Sequence, residues 1–260
     1  MMNLRMCEPT TFQIQPKRLW GITWRIRFVV TGTGRSGTRY IAELLSAAGV
    51  PTGHECWFGP WPGLFRGPEP IHRRTPWERV QGPFARLRQE LRRRRCAIAG
   101  DASWLAVPYL PKFRGHVYLQ VRHPLAFVAS FLGLGILQKA DSPYAGFLTR
   151  HFPITGEPIS DAVRFWMEWN LRALPYAHRV WHLEDLDVEI VAQVLSDLGV
   201  PHPHRRAEAA FRACPFPVNT ARERLYTPRP ISWQEIPVSL RDPLARVART
   251  LGYDPEVPDA

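Results

Sequence analysis

The stretch Arg27-Phe28-Val29-Val30-Thr31-Gly32-Thr33-Gly34-Arg35-Ser36-Gly37-Thr38-Arg39-Tyr40 constrains this chain more than any other. An apolar, β-branched run empties into a glycine-rich turn. The turn opens directly into Ile41-Ala42-Glu43-Leu44-Leu45-Ser46-Ala47-Ala48, whose apolar spacing suits a helix. Strand, loop and helix in that order make an anion cradle. Glycines let the backbone bend so that several N–H groups point inward, and the helix N-terminus adds roughly half a unit of positive charge. Arg35 supplies a full charge, and Ser36 and Thr38 supply hydroxyl donors. The expected ligand carries a phosphate-like group. The plainer alternative is a glycine turn that leads into a surface helix.

One residue separates this loop from the nucleoside triphosphatase pattern G-x-x-x-x-G-K-[ST]. Gly37 is followed at once by Thr38, so the lysine that reaches the terminal phosphates of ATP or GTP is missing. An ATPase is therefore disfavoured.

A chain of 260 residues can bury one sizeable core. The expectation is a single α/β domain over 25–260, with long loops, behind an N-terminal extension over 1–24. Hydrophobic content of 45% and charged content of 22% are ordinary, whereas a net charge of +11 is not. Nearly all the cations are arginine, which grips phosphate and sulfate bidentately, so an anionic ligand or an acidic surface is the expected partner. A GC-rich coding sequence, which favours arginine codons, is the competing explanation. Cys7, Cys56, Cys96 and Cys214 are scattered without a C-x-x-C pair, so neither a metal site nor a disulfide framework is expected. No secretory signal is legible. The apolar run from Leu125 to Leu137 is glycine-broken and shorter than the roughly 20 residues that a bilayer requires. The expected location is cytoplasmic, with no transmembrane segment.

Beyond the first helix, which should end near Gly49, lies His54-Glu55. Either side chain can take a proton from an attacking hydroxyl, and loops leaving the carboxyl ends of parallel strands converge on a ligand crevice. The alternative is a surface dipeptide. Residues 57 to 84, with Trp57, Phe58, Trp61, Phe65, Trp77 and Phe84, read as a long irregular loop. It is either an acceptor-binding wall or a set of aromatics pinned to the core. Arg86 to Arg95 reads as a helix ending in four arginines; no nucleic-acid reading motif accompanies it, and no nucleic-acid partner is expected.

Ala97 to Gly100 reads as a short buried strand, followed by Asp101-Ala102-Ser103 as a helix cap; the alternative, since it leaves the same carboxyl edge, is that it faces the crevice. His116 to Val121 is the third strand, ended sharply by Arg122-His123-Pro124, and Leu125 to Phe131 has helical character. Arg122 at the strand end and Ser130 two helical turns into the next element make a second oxyanion site. Residues 132 to 160, whose glycines, prolines and aromatics surround Lys139, Arg150 and His151, read as a mobile flap. Asp161 to Leu174 reads as a helix whose Trp166 and Trp169 belong to the core. Arg179 to Leu183 is the fourth strand, capped by Glu184-Asp185-Leu186, and Val188 to Leu198 is a helix closed by Gly199. Residues 215 to 236 form a proline-rich stretch with Asn219, Arg222, Arg224 and Arg229. Pro243 to Leu251 ends the chain as a helix.

Taken together, these motifs resemble the superfamily of sulfotransferases that use 3′-phosphoadenosine 5′-phosphosulfate. Thr33-Gly34-Arg35-Ser36-Gly37-Thr38 looks like that family's loop for the 5′-phosphosulfate, where many members carry Arg-Ser-Gly-Thr. Val121-Arg122-His123-Pro124 through Ser130 looks like its 3′-phosphate motif, an arginine and a serine at this same spacing. Trp181-His182-Leu183-Glu184-Asp185-Leu186 resembles the family's late strand. Weaker agreement continues around Val218-Asn219 and Ser232 to Pro237.

The resemblance implies a central parallel sheet flanked by helices, the P-loop-NTPase-like sulfotransferase fold. It implies a donor nucleotide held by Gly34, Arg35, Ser36, Gly37, Thr38, Arg39, Arg122 and Ser130, with Ser232 and Arg222 added from the late loop. Cytosolic small-molecule members use a histidine after the second strand, and no histidine stands near Asp101-Ala102-Ser103. Tyrosylprotein and several bacterial carbohydrate or lipid members use a glutamate shortly after the first helix, a placement that Glu55 matches. Glu55 is thus the expected base, His54 its substitute or tuning neighbour, and Arg35 the stabiliser of charge on the transferred group. The implied acceptor is a hydroxyl or amine of a small molecule, carbohydrate or lipid, and no metal is required. Two alternatives stand beside this reading. One is a kinase of a small molecule or nucleotide, which would need the absent Gly-Lys-Thr and a magnesium-binding acid. The other is a non-catalytic binder of polyanions.

Overall fold

Phe28–Thr31 are buried along their whole length, because the strand they form, β1, lies at the centre of a five-stranded sheet. The computed structural model describes residues 26–58, 98–135, 143–214 and 229–254. The 1–24 extension, Trp61, Phe65, Trp77, Phe84, the Arg86 to Arg95 run, Lys139, Val218, Asn219, Arg222, Arg224, Cys7 and Cys96 lie outside the described residues. The other strands are β2 (Thr52–His54), β3 (Gly100–Ala102), β4 (His116–Val121) and β5 (Arg179–His182), in the order β2-β3-β1-β4-β5. All four pairings are parallel. The chain is thus an α/β protein built on a parallel sheet, as its strand–loop–helix opening predicts.

A parallel sheet is covered on both faces, so its strands are apolar on both sides. Phe28 and Val30 face a core made with Tyr40, Ile41, Leu44 and Leu45 of α1 (Thr38–Ala47). The same core takes in Val191, Val194 and Leu195 and, further on, Ala207 and Ala210. Val29 faces the opposite core, which contains Phe127 and Phe131 of α2 (Pro124–Leu134) and Phe147 and Leu148 of α3 (Pro143–His151). Phe165, Trp166 and Trp169 of α4 (Pro158–Ala173) complete its centre. Both tryptophans are fully buried, as the sequence predicts. The chain continues through α5 (Val188–Asp197), α6 (Pro203–Ala213) and α7 (Val238–Thr250). Among the described residues no helix is long and apolar enough to cross a membrane.

The strand order decides where a ligand can sit. From β1 the chain moves outward to β2 on one side, while β4 and β5 lie on the other, so the winding reverses at β1. The crevice beyond the carboxyl end of the strand where winding reverses is the ligand position of open α/β sheets. The residues there are Gly32 to Gly37.

Several expectations need correction. Residues 143–151 are helical rather than part of a flap, and α4 begins at Pro158, so among the described residues after α3 only 152–157 is left to loop, while 136–142 lies outside the described residues. Phe147 and Leu148 are fully buried, which anchors α3 to the core. The strand expected over 97–100 is instead Gly100–Ala102, and His54 ends an edge strand rather than a loop. α6 was not anticipated. The last helix begins at Val238 and carries Pro243 inside it; its first turn is tightened by a bond from Leu240 N–H to the Pro237 carbonyl.

Candidate functional site

The loop from Gly32 to Gly37 is shaped by contacts that leave no room for larger residues. A Cβ on Gly32 would lie 2.1 Å from the Gln120 carbonyl oxygen, so β4 and the loop touch backbone to backbone. Gly37, with φ of 77°, turns the chain into α1 through the left-handed region that glycine tolerates best. Ser36 donates both its N–H, at 3.1 Å, and its hydroxyl, at 2.7 Å, to the Thr33 carbonyl. Gln120 locks the loop from below, donating to the Ser36 carbonyl while its own oxygen accepts from the Trp181 indole at 2.9 Å. Ser36, expected as a donor to ligand, is wholly buried and closes the loop on itself. The Thr33 hydroxyl, equally buried, has no hydrogen-bond partner among the described residues.

Arg35 is the tip of this loop, and its backbone is strained. Its φ of 78° is one of three positive values among described non-glycine residues, and Glu55, at 52°, is another. Such conformations cost on the order of 1–2 kcal/mol each and tend to gather at functional sites. From this position the Arg35 guanidinium Nε donates to the Ser130 hydroxyl at 3.0 Å. Arg122 in turn donates from Nη1 to the Arg35 carbonyl at 3.1 Å. The two anion sites read separately from the sequence therefore meet: Arg35, Arg122 and Ser130 are joined by direct hydrogen bonds.

The Arg122-His123 strand end is braced from below. Trp166 of α4 donates its indole N–H to the Arg122 carbonyl at 2.9 Å. Glu184 accepts from the His123 N–H at 3.0 Å and from the Tyr253 hydroxyl at 2.7 Å, which explains the Glu-Asp-Leu ending as structural.

Glu55 sits one residue past β2. Its N–H still pairs with the Ala102 carbonyl at 3.1 Å, so the sheet ladder fixes its position. The loop beyond is held by Asp101, whose carboxylate accepts the backbone N–H groups of Cys56, Trp57 and Phe58 at 2.8 to 2.9 Å. Asp101 is thus a clamp on the Glu55 loop and not a helix cap. The cap is Ser103, whose hydroxyl accepts from Leu105 N–H at the start of the 3-10 turns over Trp104–Lys112.

The Glu55 carboxyl is 12% exposed and its Oε2 accepts from the Tyr144 hydroxyl at 2.5 Å. Burial raises its pKa; the Tyr144 hydrogen bond opposes the rise, the Asp101 charge adds to it and the Trp104 indole opposes it, leaving a value of about 7. Trp104 stacks on Tyr144 at 5.9 Å, and a Cβ on Gly34 would stand 3.4 Å from the same indole. Through Trp104, then, Glu55 stands beside the glycine loop.

His54 is the other candidate base. Its Nε2 lies 3.2 Å from the Thr38 hydroxyl and 3.9 Å from Glu55 Oε1. Partial desolvation and then the Arg39 guanidinium hold the imidazole well below its ordinary value, so it is neutral at pH 7. Thr38 is therefore engaged with His54. Arg39 runs along the surface of α1 to Glu43 at 3.0 Å, an i,i+4 pair with both partners over a third exposed. Ser232 forms a capping box with Glu235.

The geometry thus brings together Gly34, Arg35, Gly37, Thr38, His54, Glu55, Arg122 and Ser130 and directs Arg39 to the helix surface. Sequence reasoning missed Tyr144, Trp104 and Gln120 as parts of the site, and placed Asp101 at the crevice only as the alternative to a helix cap, its signal being its position at a strand's carboxyl end. No protein-family model matches the chain, and no curated protein is similar enough to count as a match.

Proposed function

We propose that this protein is a sulfotransferase that takes the sulfuryl group of 3′-phosphoadenosine 5′-phosphosulfate and delivers it to a hydroxyl or amine of a small molecule, carbohydrate or lipid. The observation that carries this reading is the direct joining of Arg35, Arg122 and Ser130. One loop-and-helix anion site and one strand-end anion site, hydrogen-bonded to each other, suit a ligand with two anionic ends. The Thr33 hydroxyl, unpartnered among the described residues, fits as well, since such a buried group costs about 1–3 kcal/mol and an anion in the cradle would offer an acceptor.

The bound nucleotide supplies an electrophilic sulfuryl group. Glu55 removes the proton from the attacking acceptor, and a carboxyl with a pKa of about 7 is matched to that task near neutral pH. Neutral His54 orients rather than accepts, because its value lies well below that of its neighbour. Arg35 and the loop N–H groups stabilise the negative charge that develops, about 3 kcal/mol for each well-placed donor. A kinase would need a magnesium-binding acid after a strand. Of the two described acids next to the cradle, Asp101 already accepts three backbone N–H groups, and Glu55, held through Oε2 by Tyr144, is the base of this reading.

Incubation with phosphoadenosine phosphosulfate labelled on sulfur and a cell extract tests the reading. Label should appear in an acceptor product with the wild-type chain and be lost with Glu55→Gln. Phosphoryl transfer from magnesium-ATP in place of sulfuryl transfer would overturn it.

A further inference from the structure

We propose that Tyr144 is a positioning residue for Glu55: by holding Oε2 it leaves Oε1 as the carboxylate oxygen that receives the acceptor's proton. This inference rests on Glu55 being the base of the sulfotransferase site proposed above.

The geometry is specific about the two oxygens. Oε2 accepts from the Tyr144 hydroxyl at 2.5 Å, a bond made across 89 positions of sequence. Oε1 instead faces His54 Nε2 at 3.9 Å, and that same nitrogen touches Thr38 at 3.2 Å on the first residue of α1. Oε1 thus faces the imidazole that touches the first residue of α1. In the transfer step the acceptor O–H bond breaks and its proton binds Oε1; the electron pair left on the acceptor oxygen forms the new O–S bond while the bond from sulfur to the 5′-phosphate oxygen breaks, and adenosine 3′,5′-bisphosphate leaves with that pair. Tyr144 keeps its own proton throughout.

Tyr144 can hold this pose because its ring is itself fixed. It stacks on Trp104 at an interplanar angle of 22°, and Trp104 packs edge-on against Phe147 and Phe165. The Trp104 carbonyl accepts the Trp169 indole N–H at 2.7 Å. Burial, followed by the nearby Glu55 charge, pushes the Tyr144 phenol upward, so it remains a donor across the working range. The titratable and charged groups facing Glu55 are Tyr144 from α3, Asp101 from β3 and His54 from β2, together with the indole donor Trp104. Tyr144 is the strongest of those that favour the ionised carboxylate.

Tyr144→Phe keeps the ring on Trp104 and removes only the hydroxyl. In the full chain carrying carbon-13 glutamate, with Glu55→Gln identifying the signal, the Glu55 titration midpoint should rise by about one pH unit in Tyr144→Phe. The acidic limb of kcat should move upward by the same amount, and kcat at pH 7 should fall roughly tenfold, with KM for the sulfuryl donor unchanged. An unshifted midpoint and limb, with transfer intact, would overturn the role of Tyr144 alone. A shifted midpoint in a chain whose wild type transfers no sulfuryl group would overturn the role together with the reading beneath it.

Discussion

The Nε of Arg35 lies 3.0 Å from the hydroxyl oxygen of Ser130, 95 positions later in the chain. That bond ties the tip of the glycine loop to the second turn of the helix after β4. Arg122 completes the tie by donating to the Arg35 carbonyl. A loop that holds Arg35 at a φ of 78° gains its rigidity from such partners, and the site is organised before any ligand arrives.

Ser130→Ala removes the acceptor for Arg35 and one hydroxyl of the proposed second anion site. Affinity for adenosine 3′,5′-bisphosphate should fall by about tenfold, consistent with the loss of a hydrogen bond to a charged group. Isothermal calorimetry on the two proteins measures it. Unchanged affinity would separate Ser130 from the ligand.

Glu55→Gln should abolish most turnover, by about 100-fold or more, and yet make the protein more stable at neutral pH. The sign follows from a carboxyl whose folded value, about 7, stands above its ordinary 4.5. Such a group favours the fold when protonated, and that contribution is lost as pH rises from 4.5 through 7. The variant should match wild type near pH 4.5 and exceed it by about 3 kcal/mol above pH 7. Urea unfolding at several pH values reads the difference; a constant offset with pH would contradict the burial of an ionising Glu55.

Asp101→Asn leaves one of its two oxygens replaced by an amide that cannot accept. The N–H groups of Cys56, Trp57 and Phe58 then compete for fewer acceptors. Stability should drop by about 2–4 kcal/mol, and turnover should fall because the Glu55 loop loses its clamp. Denaturant midpoints and kcat check both, and a neutral effect on stability would refute the clamp.

Gly32→Ala places a methyl group 2.1 Å from the Gln120 carbonyl oxygen, a backbone atom in a central strand that cannot yield. The variant should be destabilised by about 3 kcal/mol or more and should lose nucleotide binding. A well-folded variant with intact binding, by circular dichroism and calorimetry, would show that β1 and β4 are less tightly apposed at this point.

The parts of this site that were legible in the sequence are local. Arg27 to Tyr40 carries strand, turn and helix in one stretch, and Arg122 to Ser130 carries a strand end and a helix at fixed spacing. Tyr144 was illegible because its partner is 89 positions away and nothing local marks it. Asp101 was misread because an acid just before a serine looks like a cap, whereas its partners come from residues more than 40 positions earlier. Prolines misled in a different way. Pro124, Pro143, Pro158 and Pro203 are each the first residue of a helix, where a missing N–H costs nothing and the fixed φ helps. Reading Pro143 and Pro158 as breakers turned α3 and the start of α4 into a flap. The edge strand β2, only Thr52-Gly53-His54, has no apolar alternation to reveal it, and only pairing with β3 makes it a strand.

A single nucleotide with two anionic ends that bridged the Arg35 loop and the Arg122 strand end would draw affinity from both. Calorimetry with adenosine 3′,5′-bisphosphate and adenosine 5′-monophosphate on wild type and Arg122→Ala measures this. Wild type should bind the bisphosphate at least tenfold more tightly than the monophosphate, and Arg122→Ala should erase most of that preference. No binding of the bisphosphate by wild type, or a preference that survives in Arg122→Ala, would contradict such bridging.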